Sequence, residues 1–237
     1  MTGVQTCALP ISMKIYAHRG FSGKFPEGSL SAYQGAIDIK ADGMECDIRL
    51  SKDKKLLCFH DATTDRLTGK PGRVSKLTYA EINSRVPTLL FEELLQLAIE
   101  NRMDLLVETK HPVRSGRRVE SQVIDLLLEN EKKIVASGIR VVIMSFSFLA
   151  VLRAKRRYPN VGYVVKSVWR LNFLPSNIVA IGFFLVKKNQ RLIERLRNRE
   201  VLVWTLNERE DLEYARELGL QNIITNFPDR AKEVFKR

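Results

Sequence analysis

The chain has 237 residues, 45% of them hydrophobic and 28% charged, with 39 Lys+Arg against 27 Asp+Glu for a net charge of +12. That balance excludes a disordered or fibrous chain, and the length is ample for a packed core. The longest apolar run, Ile178–Val186, is far short of the ~20 residues a membrane-spanning helix needs, and Cys7, Cys46 and Cys58 are too few and too unpatterned for a disulfide framework or a thiolate zinc site.

Residues 1–12 (MTGVQTCALPIS) carry no charge and no periodicity. They lack the basic start and the long apolar stretch of a signal peptide. They read as an extension foreign to the fold, with Met13 the expected start and a single domain over 13–237. With Cys7 set aside, both remaining cysteines fall in predicted strands, which suits a reducing, cytoplasmic compartment.

From Met13 onward, short β-branched runs alternate with longer amphipathic ones. Strands are predicted over Lys14–Ala17, Gly43–Leu50, Leu56–Phe59, Asp104–Glu108, Arg140–Met144, Gly162–Val165, Ile178–Gly182, Val201–Thr205 and Asn222–Thr225. Helices are predicted over Ser29–Ile39, with Ser29 as N-cap, then over Leu90–Glu100, Arg117–Glu129, Phe148–Arg157, Gln190–Arg199 and Glu208–Leu218, the last stopped by Gly219. Repeated strand–helix units imply a parallel sheet, and about eight of them in this length favour a closed TIM (β/α)8 barrel. The stretch Ser51–Pro87, with its Thr68–Arg73 turn and second short strand, reads as a small insertion after strand two.

In such a barrel the chemistry sits at the C-terminal ends of the strands. Strand one ends in His18-Arg19-Gly20. Glu45 and Asp47 stand two apart on strand two, so both carboxylates share a face. The run Leu56–Phe59 leads into His60-Asp61, strand three ends Glu108-Thr109-Lys110, and Trp204 and Asn207 close a late strand. Three carboxylates, Glu45, Asp47 and Glu108, converging at a barrel mouth would repel one another unless a cation lay between them. A hard divalent ion with oxygen ligands, Mg2+ or Ca2+, fits that set. Two histidines beside Arg19 and Lys110 fit a site that binds a phosphate anion and moves protons.

Each feature has a plain structural explanation when taken singly. A strand-end histidine is usually packed, Glu45/Asp47 could be a surface pair, Glu108/Lys110 a salt bridge, and Trp204 barrel core. Cys46 points away from its neighbours into packed core, and His111, ahead of Pro112, reads as a loop residue. Their coincidence at strand ends is what carries weight.

The motifs HRG (18–20), PEGS (26–29), ECD (45–47), HD (60–61), ETK (108–110), SF (145–146), WTLN (204–207) and TNFP (225–228) stand in the order found in the glycerophosphodiester phosphodiesterase family, which the chain resembles from about Lys14 to Arg237. The resemblance implies metal-dependent hydrolysis of glycerophosphodiesters to glycerol 3-phosphate and an alcohol on a TIM barrel. It makes His18 and His60 the acid/base pair and Glu45, Asp47 and Glu108 the metal ligands. Arg19 and Lys110 would hold the phosphate, Glu27 would lie near the metal and glycerol end, and Trp204 would flank the substrate. Two positions depart from the family pattern: Gly28 stands where Asn is usual, and Asn226 where Asp is usual.

Two other functions compete. A lysophospholipase D could use the same site, with Val168–Leu174 as the wall of an apolar groove. A basic membrane- or polyanion-binding module without catalysis is the other, because residues 151–200 hold 12 Lys+Arg and only 2 acidic groups. No nucleic-acid motif is present. In the predicted helix 190–199, Arg191, Arg195 and Arg199 would share one face, either simply solvated or in peripheral contact with anionic membrane lipid.

Overall fold

The computed structural model describes residues 13–111, 113 and 116–235. The foreign extension expected over residues 1–12 lies outside the described residues. Among the described residues nine strands form one sheet: β1 (Lys14–His18), β2 (Gly43–Leu50), β3 (Leu56–Cys58), β4 (Asp104–Thr109), β5 (Val141–Ser145), β6 (Val161–Val165), β7 (Ile178–Gly182), β8 (Glu200–Trp204) and β9 (Asn222–Thr225). Eight of them are parallel, and β1 pairs with both β2 and β9, which closes the barrel. β3 is antiparallel to β2 and stands outside the ring. The expected TIM barrel with an insertion after its second strand is what the chain forms.

Strand alternation divides the apolar residues between two cores. Tyr16, Leu106, Val142, Met144, Val164, Ala180, Leu202 and Ile224 fill the barrel interior. Ala17, Met44, Cys46, Ile48, Leu105 and Val107 face the helices. On β2, therefore, Gly43, Glu45 and Asp47 share the inner face, and Gly43 has no room for a side chain: a Cβ there would lie 2.6 Å from the Tyr16 ring. The insertion has a small core of its own, Leu57, Phe59, Val74 and Ile82.

Helix ends follow local chemistry. Ser29 accepts from the Ala32 N–H and starts the helix Leu30–Asp38, and Gly219, at φ +64°, follows the helix Arg209–Glu217. Helices Glu131–Ser137, Phe183–Lys188 and Pro228–Val234 are additional to those predicted. The helix expected over 190–199 is shorter, Arg191–Arg195. Arg195 reaches the Leu171 carbonyl and Asn172, and Arg199, beyond the end of this helix, reaches the Ser176 carbonyl, so these two guanidiniums pin the 171–177 loop. Among the described residues no helix is long and apolar enough to cross a membrane.

Candidate active site

Register assembles the site. β1 and β2 pair His18 with Glu45, and β2 and β4 pair Asp47 with Glu108, so four inward residues meet at the C-terminal mouth. A cavity of about 160 Å³ there is lined by His18, Arg19, Glu45, Asp47, His60, Glu108, Lys110 and Trp204, with Phe146 among the apolar wall residues. A larger cavity of about 740 Å³, bordered by Arg49, Lys54, Arg73 and Arg118, contains none of the candidate carboxylates or histidines.

The chain turns sharply after β1. Arg19 takes a left-handed φ of +57° and Gly20 follows at +76°, where a Cβ would lie 2.5 Å from the Ala32 backbone. The turn directs the Arg19 N–H at Glu45 Oε2 (3.2 Å) and sets its side chain between Asp47 (Nε to Oδ2, 2.9 Å) and Glu27 (Nη1 to Oε1, 3.0 Å).

Lys110 lies 2.6 Å from both Asp47 Oδ1 and Glu108 Oε1, so it bridges two of the three carboxylates. The sequence makes Lys110 a phosphate-holding residue, and here it also neutralises the carboxylates. Burial pushes the Glu45 carboxyl well above the usual carboxylate range, and the charges on Asp47 and Glu108 push it further. The same causes raise Glu108 to about 7 despite Lys110. At Asp47 burial works the other way from its neighbours: Lys110 and Arg19 outweigh it and bring the group down to about 2.

One oxygen from each of Glu45, Asp47 and Glu108 lies within 4.8 Å of the others. Asp47 Oδ2 and Arg19 Nε are close as an ion pair but not aligned as a hydrogen bond, and among the described residues both buried atoms lack a hydrogen-bond partner. A buried carboxylate oxygen without a directional donor, in an all-oxygen donor set, fits a hard divalent cation.

Each histidine has one nitrogen occupied. His18 Nδ1 donates to Asn226 Oδ1 at 2.6 Å, which leaves Nε2 toward the carboxylates, 3.8 Å from Glu45. Asn226 is itself held, its N–H donating to Asn207 Oδ1 at 2.9 Å. Burial, and then the Arg19 charge, lower His18 to about 4, so it is neutral at pH 7. His60 Nδ1 pairs with Asp61 Oδ1 at 2.7 Å, and its backbone carbonyl accepts from Arg49 Nε. Burial lowers His60 as well, against the opposing pull of Asp47 and Asp61.

Behind this pair runs a charge chain that the sequence does not disclose. Arg66, on the short insertion helix Asp65–Thr68, donates to Asp61 (2.6 Å) and to both oxygens of Glu27 (2.5 and 2.9 Å). Glu27 in turn holds Arg19, so it stands one step behind the cavity. Trp204 donates its Nε1–H to the Ala180 carbonyl and meets Phe146 edge-on at 5.7 Å, forming an aromatic side of the mouth. His111 is a loop residue paired with Glu120 and takes no part in the cavity.

Comparison with known proteins points the same way. A sequence profile of the Glycerophosphoryl diester phosphodiesterase family matches residues 18–230. A probable glycerophosphodiester phosphodiesterase 1 of Mycobacterium tuberculosis is 33% identical, over 92% of this chain and 90% of that protein. Among solved structures, a putative glycerophosphoryl diester phosphodiesterase from Silicibacter pomeroyi superposes with a TM-score of 0.80 at 19% identity, covering 96% of this chain and 94% of that one. A phosphodiesterase from Oleispira antarctica, solved in complex with the product sn-glycerol-3-phosphate, has a TM-score of 0.77 at 22% identity, covering 94% and 97%. At these identities the structural likeness speaks for the fold.

Proposed function

The chain belongs to the glycerophosphodiester phosphodiesterase family, and from that premise we propose that it hydrolyses small-alcohol glycerophosphodiesters to glycerol 3-phosphate at the Glu45–Asp47–Glu108 mouth. One observation carries this reading: three inward carboxylates within 4.8 Å, flanked by two histidines that line the same cavity. Glu45, Asp47 and Glu108 would hold Mg2+ or Ca2+. When bound, the ion supplies positive charge to the phosphate oxygens.

Arg19 and Lys110 add to that positive field. Lys110 is placed to exchange one carboxylate contact for a phosphate oxygen. His18 enters neutral, with Asn226 fixing its tautomer and leaving Nε2 able to accept the proton of the attacking hydroxyl, whether of water or of the glycerol C2. His60 faces a carboxylate through Nδ1, so Asp61 offsets part of the burial that lowers the ring's proton affinity, and the protonated ring is the one placed to give its proton to the departing alkoxide. Glu27 steadies Arg19, and the Trp204 ring flanks the bound diester.

The 160 Å³ cavity favours a small alcohol over a lysophospholipid, whose acyl chain would have to lie outside along the aromatic rim. Cys46 and Cys58, both buried and free, support a reducing, cytoplasmic setting. We regard residues 13–237 as the single catalytic domain. Release of glycerol 3-phosphate from glycerophosphocholine, with and without a chelator, tests the reading. Metal-restored release is the expected result, and no release in any divalent ion would overturn it.

A further inference from the structure

Five of the exposed large apolar side chains stand on the segments that follow β5, β6 and β7, on the mouth side of the barrel: Phe148, Leu149, Val168, Trp169 and Phe184. Trp169, at 63% exposed, is the largest of them. Ring and cation contacts tie the aromatic members of this band to the mouth. Phe184 meets Trp204 edge-on, Trp204 meets Phe146, and the Lys166 ammonium lies over Phe146. Arg170 donates to the Phe146 carbonyl and the Tyr163 hydroxyl while its guanidinium lies over Trp169, and Phe148 packs edge-on against Tyr163. Phe146 and Trp204 line the catalytic cavity, so the band starts at the wall of the site and runs outward to solvent.

Its charge selects a partner. From Lys132 through Ile193 the sequence contains no Asp or Glu, so no carboxylate of this segment would oppose an anionic surface. Aromatic and aliphatic side chains interspersed with Lys and Arg are the combination that settles at a lipid–water interface: the apolar bodies enter and the cations meet headgroup phosphates.

We propose that the band Phe148–Leu149, Lys166–Arg170 and Phe184 docks the barrel mouth on an anionic phospholipid bilayer. Trp169 and Phe184 enter the headgroup region, Lys166 faces lipid phosphate, and Arg170 braces Trp169. The proposal rests on the reading of the mouth as a glycerophosphodiester site and adds the surface through which the enzyme meets a membrane.

Co-sedimentation with vesicles of phosphatidylcholine plus phosphatidylglycerol, against vesicles of phosphatidylcholine alone, tests it. Turnover of soluble glycerophosphocholine is measured on the same preparations. Wild type should pellet with the anionic vesicles at low salt and release as salt rises. Trp169→Ser and Lys166→Glu should each lower the partition by about fivefold or more, with soluble turnover unchanged. Absence of wild-type pelleting, equal pelleting with neutral vesicles, or undiminished pelleting of both variants would overturn the assignment. So would Trp169-dependent self-association without vesicles, seen by sedimentation velocity, because the band would then be a contact between copies. Soluble turnover reports the site and vesicles report the band, so failure of one remains distinct from failure of the other.

Discussion

His18 Nδ1 and Asn226 Oδ1, 208 residues apart in the chain, lie 2.6 Å from each other where the first and last barrel strands meet. The contact uses the closure of the barrel to orient a side chain. β1 and β9 pair from Lys14–Asn222 to Ala17–Thr225, and the last residue of β1 and the first beyond β9 complete the hydrogen bond. An amide here fixes the imidazole tautomer without offering it a negative charge.

Replacing Asn226 tests that distinction. Asn226→Ala frees the ring, and kcat should fall by about 10- to 100-fold with KM nearly constant, because orientation serves the transition state more than binding. Asn226→Asp keeps an acceptor but adds charge beside Nδ1, which stabilises the imidazolium and raises His18 from about 4. The base is then protonated over a wider acid range, so the acidic limb of kcat/KM moves to higher pH. Identical pH profiles for wild type and Asn226→Asp would show that His18 is not the base.

The second histidine leans on the insertion. His60→Ala should reduce kcat by ~10²–10⁴-fold, the range for a lost general acid or base. Arg66→Ala should do less, about 10-fold, by releasing Asp61 and Glu27 together. The part of that loss that runs through Asp61 should be hidden in the His60→Ala background, since Asp61 acts through that ring, while the part that runs through Glu27 and Arg19 should remain. Multiplicative losses in the double variant would place Arg66 outside the His60 pathway.

Metal dependence can be read without activity. Glu45 is buried beside two other carboxylates, and among the described residues its side chain accepts a hydrogen bond only from the Arg19 N–H. Adding Mg2+ or Ca2+ should therefore raise Tm by binding the native state, with about 2.7 kcal/mol of stabilisation at a hundredfold excess over Kd. Glu45→Gln removes one repelling charge, so its metal-free Tm should match or exceed that of wild type while the metal-induced rise is lost. A full rise in Glu45→Gln, followed by differential scanning fluorimetry, would remove Glu45 from the ligand set.

Much of this site was legible because it lies on strands. The two-residue spacing of Glu45 and Asp47 decides their shared face, and polar residues at the ends of otherwise apolar runs mark the mouth. What stayed hidden depends on distance through space. Arg66 lies 39 residues from Glu27 and on a four-residue helix without periodicity of its own. Asn226 stood out only as a departure from a family pattern, and its contact with His18 requires barrel closure. The helix Phe183–Lys188 continues the apolar run of β7 without a break in composition, so periodicity cannot divide the two. Lys110 reads in the sequence as a phosphate clamp or as the partner of Glu108, and its further contact with Asp47 depends on the pairing of β2 with β4.

Away from the mouth, Glu120 provides a pH test of stability. It is buried in the first turn of the helix Arg118–Glu129, accepting from Arg153 Nε at 2.7 Å and paired with His111 Nε2 at 2.9 Å. Burial opposes ionisation, but the His111 and Arg153 contacts outweigh it and hold the carboxyl below its ordinary value. A carboxyl depressed in the folded state stabilises the protein above its unfolded pKa of ~4.3, and that contribution is lost as pH falls through the folded value. Glu120→Gln should thus lower stability by about 1–3 kcal/mol at pH 7, where Arg153 loses its counter-charge and His111 its carboxylate partner. As pH falls from the unfolded pKa toward the depressed folded value, wild type gives up the same interaction on its own, so the two unfolding curves should converge. Urea titrations of both proteins at pH 7 and in steps down to about pH 3.5 measure this. A gap that stays constant across that range would assign the loss to packing and not to the Glu120 charge.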